Sequence, residues 1–155
     1  MALPEAQLIR QEHIIRDMQF TSDVKLTRKS LVRWLALSLG LISPNESRVL
    51  MLDVLEALLW FHYKGEEPEI NRLMEKINEV RKGSEPANPK AVRYHLLQLK
   101  NAGLIDRKAG KYRFVLAPMA ESPDLAVSVE YVYKKNAETA FEKIRKAFSA
   151  LEKTY

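Results

Sequence analysis

The spacing of hydrophobic residues changes at Gly103, and this change constrains the fold more than any other feature of the sequence. Before the glycine, Val92, Leu96 and Leu99 recur at helical spacing. After it, residues 104–108 and 111–116 alternate in polarity, as the two strands of a hairpin do. Residues 108–110 fit a three-residue loop with Gly110 in the left-handed conformation. The sequence therefore predicts a helix that leads directly into a β-hairpin.

Two more helices are predicted upstream of this unit. Ser43, Pro44 and Glu46 form a capping box, which predicts a helix start at residue 43. A second helix is expected at about 68–80, and residues 81–87 have the composition of a loop. Asn88 then caps the third helix, residues 88–102, with a proline in the first helical position. In the hairpin we expect one apolar face, made by Tyr112, Phe114 and Leu116.

The flanking segments are also predicted to be helical. Residues 5–18 are a candidate amphipathic helix, and residues 27–39 are apolar nearly all round, which predicts enclosure by protein. The last helix, about 137–153, carries a heptad seam made of Phe141, Ile144, Phe148 and Leu151. This seam could pair with a second copy of the chain or pack against the chain's own N-terminal helices. We expect a mainly α fold with a small hairpin, divided into 1–42 (helical extension), 43–118 and 119–155 (linker and C-terminal helix).

Composition limits the function classes. The 155 residues are 46% hydrophobic, enough for a core, and include no cysteine, which excludes disulfides and thiolate metal sites. No segment resembles a signal peptide or membrane span, so we expect a cytoplasmic protein. The net charge of +5 is concentrated in residues 88–113, where seven basic residues face one acid, a net +6. Such a basic block favours a nucleic-acid partner.

Eight side chains in this block are candidate DNA contacts. A helix fits the major groove of duplex DNA, and a flexible basic hairpin can lie along the phosphate backbone or in the minor groove. The alternative is an ordinary solvated surface, on which lysines also protect an edge strand. The helix candidates are Lys90, Arg93, Tyr94 and Gln98, and the hairpin candidates are Arg107, Lys108, Lys111 and Arg113.

The run from residue 91 to residue 114, AVRYHLLQLKNAGLIDRKAGKYRF, resembles the recognition helix and wing of bacterial and archaeal winged helix-turn-helix regulators of the arsenic-repressor-like type. The resemblance implies a winged-helix domain in which Lys90, Arg93 and Tyr94 face the groove and residues 107–113 form the wing. It also implies a homodimeric, nucleoid-associated transcription regulator that binds duplex DNA. Metal-sensing members use cysteines or clusters of histidine and carboxylate, which this chain lacks.

Other functions find less support in the sequence. The three histidines lie on different segments without metal-ligand spacing, and no phosphate-binding loop or catalytic motif occurs, so neither a cofactor, a metal nor an enzyme is expected. The aromatic run at 60–63 could line an effector pocket or belong to the core. A winged helix can also serve as a protein-interaction module in a transcription or chromosome-maintenance complex, or bind RNA. These two alternatives remain open.

Overall fold

The computed structural model describes residues 2–46, 49–118 and 123–155. Within them the chain is mainly helical with one small antiparallel hairpin, as the sequence predicts. The helices are α1 (Arg28–Ser38), α2 (Leu50–Lys64), α3 (Ile70–Val80), α4 (Pro89–Asn101) and α5 (Leu125–Glu152), with 3-10 turns at Pro4–Leu8 and Ser22–Leu26. The hairpin strands are β1 (Ile105–Lys108) and β2 (Lys111–Phe114). The first four residues of the predicted linker, 119–122, lie outside the described residues.

Helix α2 is the centre of the core. It packs on α1, α3 and α4, and its residues Val54 and Ala57 are fully enclosed. Leu73 and Ile77 of α3 and Leu99 of α4 complete this contact and are also inaccessible to solvent. Burying each of these larger side chains stabilises the fold by about 1.5–3 kcal/mol before the entropy of ordering is counted. The core therefore holds α4 rigidly by its apolar face.

The predicted helix start at residue 43 is wrong. The backbone amide of Ser43 does donate to Glu46 Oε1 at 2.9 Å, as in a capping box, but residues 43–46 make only a turn. Val49 is extended, and α2 begins at Leu50. Residues 44–46 are all exposed, so none of their side chains packs in the core. A local capping signal is not sufficient to start a helix that has nothing to pack against.

The second predicted helix also begins later than expected. The carbonyl of Pro68 accepts a hydrogen bond from the amide of Tyr112 at 2.8 Å, and Glu69 forms a β-bridge with Lys111. Residues 68–69 are thus extended against the outer edge of β2, and α3 starts at Ile70. This bridge ties the hairpin to the helical core.

The hairpin loop has two residues rather than the predicted three. Lys108 pairs directly with Lys111, and the connecting Ala109 and Gly110 both have positive φ, 52° and 80°. Such a loop matches the right-handed twist of the strands. Leu116 lies beyond the end of β2 and is exposed, so the prediction that it shares the apolar face was wrong.

The predicted helix at residues 5–18 is absent. Beyond the 3-10 turn at Pro4–Leu8, residues 9–20 run without helix along the end of α1. The amide of Arg16 donates to the carbonyl of Ser38 at 2.8 Å, and its guanidinium donates to the carbonyls of Leu37 and Ile42. These bonds give partners to carbonyls at the C-terminal end of α1 and just beyond it, and they form in place of the predicted local helix. Gly40 (φ 69°) is required here because a Cβ would lie 2.6 Å from Ile14 Cβ.

Helix α5 has two unlike halves. Its first half is anchored by Ser128, which is buried and accepts a hydrogen bond from the amide of Ala117, and by Tyr133, whose hydroxyl donates to the carbonyl of Leu39 at 2.6 Å. From residue 137 to the end of the chain every residue is exposed. The second half therefore projects from the body of the molecule.

Candidate nucleic-acid interface

Helix α4 is defined at both ends by local interactions. The side chain of Asn88 accepts hydrogen bonds from the amides of Lys90 and Ala91, and Pro89 occupies the first turn, as predicted. Gly103 adopts φ 81° just beyond the helix, which ends it. The caps and the buried residues Val92 and Leu96 fix which face of α4 points outward.

The predicted contact residues of α4 all lie on its exposed face. Lys90 and Arg93 project from the first turns and make no salt bridge with any described residue. The N-terminal part of a recognition helix is the part that reaches base edges. An unpaired guanidinium there can present its planar fork to the two acceptors of a guanine.

Tyr94 and Gln98 are joined in a small hydrogen-bonded chain with His95. Gln98 Nε2 donates to the hydroxyl of Tyr94 at 3.2 Å, and Gln98 Oε1 lies 3.0 Å from His95 Nδ1. His95 is half-buried, so the chain fixes Gln98 against the helix. To contact a base, Gln98 must break these hydrogen bonds, whereas the side chain of Arg93 makes none with the described residues.

The strand register places the basic side chains of the hairpin on two faces. Arg107 lies on the same face as its partner Tyr112, with the guanidinium 5.1 Å from the ring centroid, a cation–π arrangement. Lys108 and Lys111 face each other beside the turn, and both are exposed. Two like charges at the tip weaken a hairpin unless an anion lies between or near them.

Arg113 differs from the other candidates because it is already paired. Its Nε lies 2.8 Å from Asp106 Oδ1, and the two residues are cross-strand neighbours. This hydrogen bond and the charge of Asp106 raise the pKa of the Arg113 guanidinium above its usual value, with a smaller contribution from Glu67. The single acid in the basic block thus neutralises one of its seven cations. The sequence shows both residues but not that they meet.

The side chains of the predicted dimerisation seam are exposed to solvent. Phe141, Ile144, Phe148 and Leu151 are between 43% and 68% exposed. Packing of this seam against the chain's own N-terminal segment, one of the two alternatives, does not occur among the described residues.

An apolar groove between α1, α2 and α5 was missed by sequence reasoning. The predicted enclosure of residues 27–39 is incomplete, because Leu35 of α1 is 44% exposed and lies in this groove. The aromatic run at 60–63 divides between environments, with Phe61 in the core and Tyr63 at the groove. The sequence does show an excess of apolar residues in α1, but it does not show which side of that helix is left exposed.

The described residues contain no group of three or more histidine and carboxylate residues arranged to hold a metal. No helix among them has both the length and the hydropathy needed to cross a bilayer.

Comparison with protein-family models, with curated proteins and with solved structures finds no match to this chain.

Proposed function

We propose that residues 43–118 form a winged helix-turn-helix domain and that the protein is a homodimeric transcription regulator that binds duplex DNA. In this proposal α4 enters the major groove, and the hairpin of β1 and β2 lies on the phosphate backbone or in the minor groove. A protein bound to chromosomal DNA would be cytoplasmic and nucleoid-associated.

One observation carries the proposal: a rigidly capped helix exposes Lys90 and Arg93, and a basic hairpin follows it after only a few residues. The order helix, helix, basic helix, hairpin is that of a DNA-binding winged helix. The bridge between Glu69 and Lys111 supports the same architecture, because it holds the hairpin against the helical core. Homodimerisation through the open seam of α5 would provide two reading helices for two half-sites.

The test is selection of bound fragments from a genomic or random duplex library, followed by gel shifts with the selected sequence. Arg93→Ala should weaken binding by about tenfold or more and relax the preference at one position, as loss of a bidentate base contact does. Arg33→Ala is the matched control, since Arg33 is also exposed but lies on α1. Equal behaviour of the two variants would mean that α4 does not read bases.

The second candidate is a winged-helix module that binds another protein, and the open apolar seam of α5 is the observation in its favour. Absence of duplex binding at low salt, together with salt-independent capture of a protein, would support it over DNA binding. Competition by RNA at concentrations where duplex DNA does not compete would instead identify an RNA-binding protein.

A further inference from the structure

The groove between α1, α2 and the first half of α5 has a volume of about 660 Å³. Its lining is apolar apart from Ser38, Glu130 and Lys134. The walls are formed by pairs of side chains from three helices: Trp34 and Leu35, Leu59 and Tyr63, Val129 and Tyr133. Together with the exposed seam of α5, this groove gives an apolar surface on the order of 500 Å², a size at which exposed patches often mark interaction sites.

The groove and the open seam are consecutive parts of one face of α5. At 100° per residue, Ala126, Tyr133 and Ala137 lie on the same side of the helix as Phe141 and Phe148. The first three of these residues line the groove, and the other two stand on the exposed half. The apolar face of α5 thus stays on one side of the helix, and it passes from the concave groove to the convex exposed half.

The two parts also match in length. The groove side of α5 extends from residue 126 to residue 137, about 17 Å, and the exposed seam from residue 141 to residue 151, about 15 Å. A two-fold axis crossing α5 near residue 139 would lay the seam of one copy along the groove of the other. Because such an interface is the same surface on both subunits, it closes at two copies.

We propose that two copies pair antiparallel through α5, so that the seam of each fills the groove of the other. In this register Phe148 of one copy lies beside Val129 of the second copy, and Phe141 packs over the small side chain of Ala137. The inference rests on the proposed homodimer but is independent of DNA binding.

The available area favours this arrangement over a parallel coiled coil. Four half-exposed large side chains offer on the order of 350 Å² of apolar surface per copy, so pairing seam to seam buries about 700 Å² in total. Placing each seam in the opposite groove adds the walls of both grooves to the buried surface and brings the total to about 1,100 Å², close to the lower limit of a standard stable interface, about 1,200 Å². A parallel pairing would also leave both grooves open.

The first experiment measures the orientation. Because the chain has no cysteine, Glu142→Cys and Ser149→Cys can each carry one nitroxide label, and both positions are exposed on a side of α5 away from the seam. In the antiparallel dimer the labels at residue 149 lie farther from the axis, so their separation should exceed that at residue 142 by more than about 10 Å. Equal separations would establish that the two seams pair with each other, either in parallel or antiparallel about residue 146, and no separation below 80 Å at any concentration would establish a monomer; each of these results overturns the proposal.

The second experiment tests the groove. Phe148→Glu and Leu35→Glu should each raise the dimer dissociation constant at least 100-fold in sedimentation equilibrium, because each dimer would bury two new carboxylates in an apolar contact. Leu97→Glu, on an α4 residue that is 53% exposed, is the matched control and should leave the dimer unchanged. If Phe148→Glu dissociates the dimer and Leu35→Glu does not, the seam pairs outside the groove and the proposal is wrong. Both readouts are made without DNA, so failure of the DNA-binding proposal does not affect them.

Discussion

Asp106 limits the positive charge of the hairpin, and its neutralisation provides a quantitative test of the proposed interface. In the free protein its carboxylate holds the guanidinium of Arg113, while six other cations of the basic block make no salt bridge with any described residue. Arg93 is assigned to a base, so if the other five, which include Lys100 of α4, neutralise phosphates, the slope of log K against log salt concentration should be about −4.5 per protomer. Asp106→Asn releases Arg113 as a sixth phosphate-binding cation and should change that slope to about −5.4.

The difference can be measured in a fluorescence-anisotropy titration of a labelled duplex between 50 and 200 mM salt. Over this fourfold range the wild-type affinity should fall about 500-fold per protomer, and that of Asp106→Asn about 3.5 times more. The variant should remain folded, because an ion pair this exposed contributes at most about 1 kcal/mol.

A matched control separates a local effect from a change in net charge. Glu138 pairs with Arg145 on the exposed half of α5, so Glu138→Gln also frees one arginine and also raises the net charge by one. Its slope should equal that of the wild type, because α5 is not proposed to contact DNA. If both variants steepen the slope equally, or neither does, the hairpin has no special position in the interface and the reasoning fails.

Three further predictions concern stability. Burial raises the pKa of Tyr133 to about 12, so the folded state favours the neutral phenol. The contribution of this phenol to the free energy of unfolding is fully present below pH 10, and about 1–2 kcal/mol of it is lost as the pH rises toward 12. Denaturant unfolding at pH 9 and pH 11 should show this loss in the wild type and in Tyr63→Phe but not in Tyr133→Phe. Ala109→Gly should raise the denaturation midpoint by an equivalent of about 0.5–1 kcal/mol, because φ 52° strains alanine; an unchanged midpoint would contradict the two-residue loop. Asp53→Asn should lower stability by about 1–2 kcal/mol in the same assay, since it leaves the half-buried Arg81 without its partner at 3.0 Å; a loss below 0.5 kcal/mol would mean that the pair is solvated.

Helix α4 was predictable because its limits are set locally. Asn88, Pro89 and Gly103 are each within a few residues of the end they define, and the structure places the helix between them. The same local reasoning failed at Ser43, where the capping interaction forms but the helix starts seven residues later. The difference is that α4 has an apolar side from its first turns, whereas the turn after Ser43 offers the core nothing to bury.

The extended N-terminal segment and the groove could not be read from the sequence because both depend on non-local geometry. The segment around Arg16 has apolar residues at helical spacing and could form a local helix. In the folded chain, however, the carbonyls at the end of α1 accept hydrogen bonds from Arg16, and these partners exist only once the chain has folded. The candidate contacts of the basic block show the same limit. The sequence placed Arg113 among the free cations, and only the strand register shows that it faces Asp106.

Helix α5 shows how far an amphipathic pattern can be interpreted. An apolar stripe predicts that one side of a helix is covered by other residues, but it does not say whether those residues belong to the same chain. In α5 the stripe is covered in one part and uncovered in the other. Near Tyr133 the same chain covers part of the helix, and near Phe148 no described residue covers it. Because the uncovered half of the stripe and the incompletely filled groove are each other's complement in chemistry and length, a second copy can supply both missing surfaces at once. A separate ligand for the groove would still leave Phe148 in water, and a seam-only coiled coil would leave Leu35 there, so each of these alternatives accounts for half of the exposed apolar surface.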